Sequence, residues 1–287
     1  MTSNASNQGD SGPKKSSMRR RALIAGGAAA AGVTAVGMAA TLGSCGQPLQ
    51  QEAPGGPTGV SLNGSGMTAE ESPAPSPTPY FDRSAHSRDD PTSMWVIVNK
   101  TRPLNPIDYR PVDLTYPDVP YANRQPMRQG AADALVPLVA AARSEAGLSL
   151  AVQSAFRSYE TQVRVYQGWV SSRGRVGADA TSARPGHSEH QTGWAIDVVG
   201  ASRKCALEIC WGETPEGQWV GANAHRFGFV VRYRADTTPI TGYESEPYHL
   251  RYVGQELAQH LHDRGITTLE RFFGLPDAPD YPPGTTV

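Results

Sequence analysis

Apolar and polar positions are distributed unevenly along the chain. From residue 94 onward short apolar runs alternate with turn residues, whereas the first third holds one uncharged stretch and then a long segment almost without large apolar side chains. Tyr159, Val163, Tyr166 and Val170 recur at intervals of four, three and four residues, which places them on one face of a helix starting near Ser158 and marks them as core. Residues 131–146 are rich in Ala, Leu and Val and stop at Gly147, predicting a second helix in which Pro137 sits in the first turns or makes a kink. Thr214, Pro215 and Glu216 supply an N-cap, a first-turn proline and an early carboxylate for a helix that closes at Gly228. Residues 255–264 and 269–273 read as short terminal helices. β-branched and aromatic runs at 95–98, 148–154, 193–199, 229–233 and 249–253 predict strands, the first leading into an irregular segment through Tyr121. There is no internal repeat. Helices and strands mix without regular βαβ alternation, so the expected fold class is α+β, a mostly antiparallel sheet with flanking helices.

The N-terminal third predicts export rather than a core. Residues 1–17 are polar, Arg19, Arg20 and Arg21 follow, and residues 22–43 are uncharged and mostly Ala and Gly: a charged flank before an apolar region. The run is long enough to span a bilayer as an uncleaved anchor, but its scarcity of Leu, Ile and Phe favours a cleaved signal. Arg20-Arg21-Ala22-Leu23-Ile24 resembles the core of a twin-arginine signal, although three arginines are also an ordinary positive flank. Leu42-Gly43-Ser44-Cys45 resembles the lipobox of bacterial lipoproteins, which implies a signal over 1–44, lipidation of Cys45 and attachment to the outer face of the cytoplasmic membrane. Residues 45–93 carry eight prolines, among them Pro73, Pro75, Pro77 and Pro79, and bury too little to offset the entropy of ordering them. They read as a disordered tether, rising about 3.1 Å per residue where Pro-rich, from the bilayer to a domain over 94–275 and a tail over 276–287.

Charge narrows the functional classes. The 287 residues hold 26 Lys+Arg against 27 Asp+Glu, and loss of the signal leaves 21 basic against 26 acidic residues. No basic stripe serves a nucleic acid, and one apolar stretch excludes a multi-span membrane protein. Cys205 and Cys210, with four residues between them, predict a local disulfide in an oxidising compartment rather than a metal site, for which only His225 is loosely near.

Three segments carry the candidate chemistry. In Ser188-Glu189-His190-Gln191-Thr192-Gly193-Trp194-Ala195-Ile196-Asp197, a histidine and an aspartate seven positions apart flank a glycine turn, as two metal ligands brought together from a loop and a strand would. The same spacing fits a satisfied core histidine and a solvent-facing aspartate. Asp197 lies among Ala195, Ile196, Val198 and Val199, however, and burying a carboxylate there demands a cation or strong donors. Glu246-Pro247-Tyr248-His249 adds a third ligand, and Pro247 holds the backbone extended. Two His and one Asp leave a tetrahedral zinc one open position, the pattern of a catalytic site, and Glu246 is placed to act as its base. Arg157, with Gln162 five residues on, could hold an oxyanion or a substrate carboxylate, or be a surface cation. His187, His260 and His262 read as loop and surface residues.

Ser-x-His-x-x-Gly-x-Ala-x-Asp followed by Glu-Pro-x-His resembles the D-alanyl-D-alanine carboxypeptidases of the VanY type, members of the wider lysostaphin/D-Ala-D-Ala carboxypeptidase/hedgehog zinc fold. The resemblance covers roughly residues 95–254 and includes Asn99-Lys100-x-x-Pro103-Leu104, Ser154-x-Phe156-Arg157-Ser158-Tyr159-x-x-Gln162, His225-Arg226-x-Gly228-Phe229 and Gly242-Tyr243-x-x-Glu246-Pro247. It implies one zinc ion held by His190, Asp197 and His249, Glu246 as catalytic base, and Arg157, Gln162, Ser188 and Tyr233 lining the groove for peptidoglycan stem peptides. Tyr248 departs from the family, which commonly has Trp there. The expected activity is removal of a terminal D-Ala. An endopeptidase on the same fold and a non-catalytic, zinc-stabilised wall-binding lipoprotein are the alternatives, and Glu246 argues against the second because a structural zinc site needs no base.

Overall fold

The computed structural model describes residues 81–285. The expected signal, Cys45 and the tether up to residue 80 lie outside them. Among the described residues no helix is long and apolar enough to cross a membrane.

The fold is α+β. A two-residue ladder of β1 (Leu114–Thr115) and β2 (Met127–Arg128) leads into helix α1 (Gln129–Ala146). Strand β3 (Leu150–Ser154) follows, then helix α2 (Tyr159–Thr181), strand β4 (Ala195–Gly200), helix α3 (Pro215–Asn223) and strand β5 (Phe229–Tyr233). The short helix α4 (Thr238–Thr241), strand β6 (Glu246–Tyr252) and helices α5 (Gln255–Asp263) and α6 (Leu269–Phe273) complete the chain. Strands β3, β4, β6 and β5 lie side by side in that order, every pair antiparallel. Leu135 and Leu138 of α1 pack with Ile196, Val198, Phe229 and Leu250 of the sheet, and a second cluster joins Trp95 and Ile97 to Leu257, Leu261 and Phe272 of the terminal helices.

Local chemistry explains the element ends. The Ser158 hydroxyl accepts from the Thr161 N–H at the start of α2, and Thr214 accepts from Gly217 at the start of α3. Gly147 closes α1 at φ 68°, a left-handed conformation suited to a residue without Cβ.

Four expectations change. Residues 95–98 form no strand; they are buried, but Arg251 Nη2 donates to the carbonyls of Met94 and Val96 at 2.9 Å each, so a guanidinium stands where a neighbouring strand would. Pro137 lies beyond the first turns of α1, on its exposed face, where water can serve the carbonyl that loses its donor. In α2 the buried positions are Gln162, Tyr166 and Ala178, with Tyr159, Val163 and Val170 only half-buried, so a polar residue centres the face that periodicity gave to valines. The expected domain limits also fall within packed structure. The Phe81 ring lies 5.8 Å from Trp95 and 5.5 Å from Phe272, and Ile97 donates to the Arg88 carbonyl. At the other end Ala278 donates to Ile240, and the Tyr281 hydroxyl accepts from the Arg184 N–H at 2.8 Å.

Candidate metal centre and substrate groove

Strand register assembles the centre. Asp197 on β4 pairs directly with His249 on β6, and Tyr233 on β5 pairs with Glu246 at the start of β6. Antiparallel partners project on the same face, so the aspartate and the histidine meet without any loop being recruited. His190 arrives from the 3-10 turn Glu189–Thr192, which Gly193 ends at φ 75°. A Cβ at Gly193 would lie 2.7 Å from Arg128 Cγ, so conformation and space both require glycine.

The three side chains are buried, and one ligand atom from each lies within 4.8 Å of the others. His190 Nε2 is 3.2 Å from Asp197 Oδ2, and His249 Nδ1 is 3.1 Å from Asp197 Oδ1 and 3.5 Å from Glu246 Oε2. Despite that closeness, Asp197 Oδ1 and His249 Nδ1 are buried without a partner in hydrogen-bond geometry. Two orphaned acceptors or donors in one spot are costly unless a further group binds both. Their nitrogen and oxygen donor set suits a zinc ion. The outer nitrogens are already engaged: His190 Nδ1 lies 2.8 Å from the Ala155 carbonyl, and His249 Nε2 lies 3.4 Å from Glu189 Oε2. Such partners fix the tautomer and leave the inner nitrogen free to ligate.

The electrostatics point the same way. Burial pushes the Glu246 carboxyl up to about 8, with the nearby Asp197 and Glu189 adding to the rise and His249 and Arg157 opposing it. Burial alone would lower His249, but the carboxylates of Asp197, Glu189 and Glu246 raise it to about 10. A pocket this anionic favours a cation at its centre.

Arg157, Gln162, Ser188 and Tyr233 line one groove of about 330 Å³ together with the centre. Arg157 Nη1 donates to Gln162 Oε1 at 3.0 Å and Nη2 to Ser154 Oγ at 2.9 Å. Gln162 is fully buried, and its Nε2 donates to Ser182 Oγ and the Ala183 carbonyl. Both ends of that amide are therefore committed within the protein, and its geometry orients Arg157. The Tyr233 ring lies tilted against that of His249, with centroids 4.9 Å apart. Cys205 and Cys210 are joined as a disulfide. His187 is buried with Nδ1 2.8 Å from the Asn99 carbonyl, away from the metal cluster, and His225 and His262 stack on each other at 3.5 Å elsewhere. A second cavity of about 310 Å³ lies between β5 and α5 and contains none of the ligand residues.

Sequence reasoning missed the charges beneath the centre. Glu189 Oε1 accepts from Arg232 Nε at 2.9 Å and from Arg251 Nη1 at 3.0 Å, and Arg232 also pairs with Glu270 at 2.6 Å, all four side chains being fully buried. Burial would raise Glu189, but the two guanidinium groups hold it well below the usual carboxylate range. The available signal was an arginine inside each of two apolar strands, a pattern that requires buried anions nearby.

Comparison with known proteins agrees with this geometry. A family model described as VanY, D-alanyl-D-alanine carboxypeptidase, matches residues 124–255. The putative carboxypeptidase YodJ of Bacillus subtilis (strain 168) is 40% identical over 189 residues, 64% of this chain and 68% of that protein. A D-alanyl-D-alanine carboxypeptidase of Enterococcus faecalis is 34% identical over 136 residues, 44% of this chain and 48% of its own length. Among solved structures, the LdcB LD-carboxypeptidase is 40% identical with a TM-score of 0.60, over 64% of this chain and 87% of that one. A variant of the vancomycin-resistance D,D-pentapeptidase VanY in complex with Zn(II) is 29% identical with a TM-score of 0.52, over 62% of this chain and 97% of that one. With the matched segment containing the whole His190, Asp197 and His249 cluster and Glu246 beside it, the chain belongs to the VanY D-alanyl-D-alanine carboxypeptidase family.

Proposed function

We propose that the protein is a zinc-dependent D-alanyl-D-alanine carboxypeptidase that releases the terminal D-Ala of peptidoglycan stem peptides. The observation that carries this reading is the pair of orphaned buried atoms, Asp197 Oδ1 and His249 Nδ1, in one cluster with His190, the His249 Nδ1 lying 3.5 Å from Glu246 Oε2. His190, Asp197 and His249 would hold one zinc ion, which supplies Lewis acidity toward the scissile carbonyl and acidifies a water. Glu246 takes the proton of the attacking water and passes it to the departing amine. Arg157, oriented by Gln162 and Ser154, offers its remaining N–H groups to the developing oxyanion or to the substrate carboxylate. No covalent intermediate is required.

The 40% identity to an LD-carboxypeptidase favours a second reading, in which the bond cut joins an L-residue to the terminal D-Ala. Incubating the zinc-loaded protein with a stem pentapeptide ending D-Ala-D-Ala and with the tetrapeptide, beside the Glu246→Ala variant, and reading products by mass separates the two. Loss of one D-Ala from the pentapeptide by the parent alone supports the proposal; release from the tetrapeptide alone supports the second reading. An internal cut would indicate an endopeptidase, and zinc binding without cleavage a wall-binding protein. We further propose that the chain is exported and anchored through a lipidated Cys45 at the outer face of the cytoplasmic membrane. The support is the Leu42-Gly43-Ser44-Cys45 sequence, and retention of Cys45→Ala in the membrane fraction would refute lipidation as the anchor.

A further inference from the structure

Residues 276–285 follow α6 with neither helix nor strand and lie beyond the segment 124–255 that the family model matches. One residue of this tail, Tyr281, nevertheless meets both stretches that bring chemistry to the centre. On one side is the stretch from Ser182 to His190. The Arg184 N–H donates to the Tyr281 hydroxyl at 2.8 Å, and the Arg184 guanidinium lies 4.0 Å over the Tyr281 ring. His187, three residues before His190, stands its ring perpendicular to that of Tyr281 with centroids 5.1 Å apart. The Ala183 carbonyl in the same stretch accepts from Gln162, which holds Arg157. On the other side is the stretch from Gly242 to Glu246. Having accepted from Arg184, the Tyr281 hydroxyl keeps its own hydrogen, and the Tyr243 hydroxyl lies 3.1 Å away. A Cβ on Gly242 would run into the Pro279 carbonyl, so the tail is pressed directly on the turn before β6.

From Tyr243 the contacts continue inward. Its ring centroid is 5.0 Å from that of Tyr233, which in turn packs on His249 and pairs across the sheet with Glu246. Tyr243, Tyr233 and His249 are all buried, and a close-packed interior transmits a displacement rather than absorbing it.

We propose that Tyr281 is a positioning residue for the centre: wedged between the two stretches, it sets the distance between the wall that carries His190 and the wall that carries Glu246. What that spacing does rests on the carboxypeptidase reading, under which His190 and the zinc it would help to hold, Glu246 and Arg157 must act on one scissile bond. Misplacing a reacting group by about 1 Å can cost on the order of 100-fold in rate. A residue that only closed the tail onto the core would need contacts with one wall. Tyr281 uses its single hydroxyl for both, and a phenylalanine there would leave the Arg184 N–H and the Tyr243 hydroxyl without their common partner.

The test compares the full chain with Tyr281→Ala, Tyr281→Phe and, as a control for lost stability, Phe272→Leu in the core beneath α6, each held well below its melting midpoint. Zinc affinity is read by competition with a chelator, and kcat and KM are read on the stem pentapeptide and tetrapeptide. For Tyr281→Ala the expected result is a fall of about tenfold in zinc affinity, in kcat or in both, with KM within about twofold of the parent. Loss of zinc affinity acts through His249 and loss of kcat through Glu246, and either supports the proposal. Tyr281→Phe, which keeps the ring, should recover part of the loss, and it decides the question by itself where Tyr281→Ala does not fold. Phe272→Leu should melt lower with both quantities unchanged. A lowered midpoint in Tyr281→Ala with zinc affinity and kcat equal to the parent's would overturn the proposal, and so would equal losses in Phe272→Leu. Cleavage of neither peptide by the parent overturns the carboxypeptidase reading alone, and zinc affinity then decides the proposal.

Discussion

At the scale of single residues, the centre is a set of atoms whose orientations are fixed from outside. His190 is set by the Ala155 carbonyl and His249 by Glu189, whose own carboxylate is gripped by Arg232 and Arg251. In the zinc enzyme proposed above, Glu189 would act on the metal through His249, as a positioning residue. Glu189→Gln keeps an acceptor and the volume but removes the charge, and partners of this kind typically contribute about 10–100-fold to metal affinity. A fall of that size in zinc affinity, measured by competition with a chelator while circular dichroism stays native, is the expected outcome; unchanged affinity would make Glu189 only a counter-ion for the two arginines. His190, Asp197, His249 and Glu246 were legible as a candidate group because they sit in two short segments of unusual composition. The sequence did not reveal Glu189 as a partner of His249, since a separation of 60 positions carries no spacing signal, and only the fold brings them together. For Gln162 the sequence gives a groove residue, while the structure gives an amide with both ends occupied.

At the scale of elements, periodicity located most helices and strands, and the exceptions share one cause. Strand Phe229–Tyr233 and helix Leu269–Phe273 have the expected limits, since both are local patterns with clear ends. Residues 95–98 look like a strand by composition and are not one, because Arg251 supplies the donors that a neighbouring strand would have supplied. The valines of α2 are less buried than Gln162 because that helix packs on a polar groove. Buried charge also ties α6 to the sheet, through Glu270 with Arg232 and with the Asn99 amide. Removing one partner of a buried pair strands the other, at about 3–5 kcal/mol. Glu270→Ala should accordingly lower the thermal midpoint by on the order of 10 °C, with zinc still bound below the transition. A shift of about one degree would mean that the apolar contacts of Phe272 and Phe273 alone hold α6 in place.

At the scale of the whole molecule, the folded unit is larger than the chemistry requires. Composition drew its limits at 94 and 275, because both flanks are rich in proline and glycine and poor in apolar residues. A few side chains override that average: Phe81 stacks on Trp95, whose indole N–H donates to the Val253 carbonyl at 2.8 Å, one residue past β6. At the opposite end Lys100 is buried with Nζ donating to the carbonyls of Gly242 and Pro279 at 2.7 and 3.0 Å, under the rings of Tyr243 and Tyr281. Gly242 is four residues before Glu246, so the tail braces the turn that leads into β6. Ending the chain at residue 275 would remove one of the two carbonyls on the Lys100 ammonium and one of its two aromatic neighbours. Leaving a buried donor short of partners costs about 1–3 kcal/mol. The shortened chain should therefore melt several degrees lower than one ending at 285, and a chain starting at 94 should melt below one starting at 81. Equal melting midpoints within each pair, measured with zinc saturating, would return the boundaries to where composition placed them.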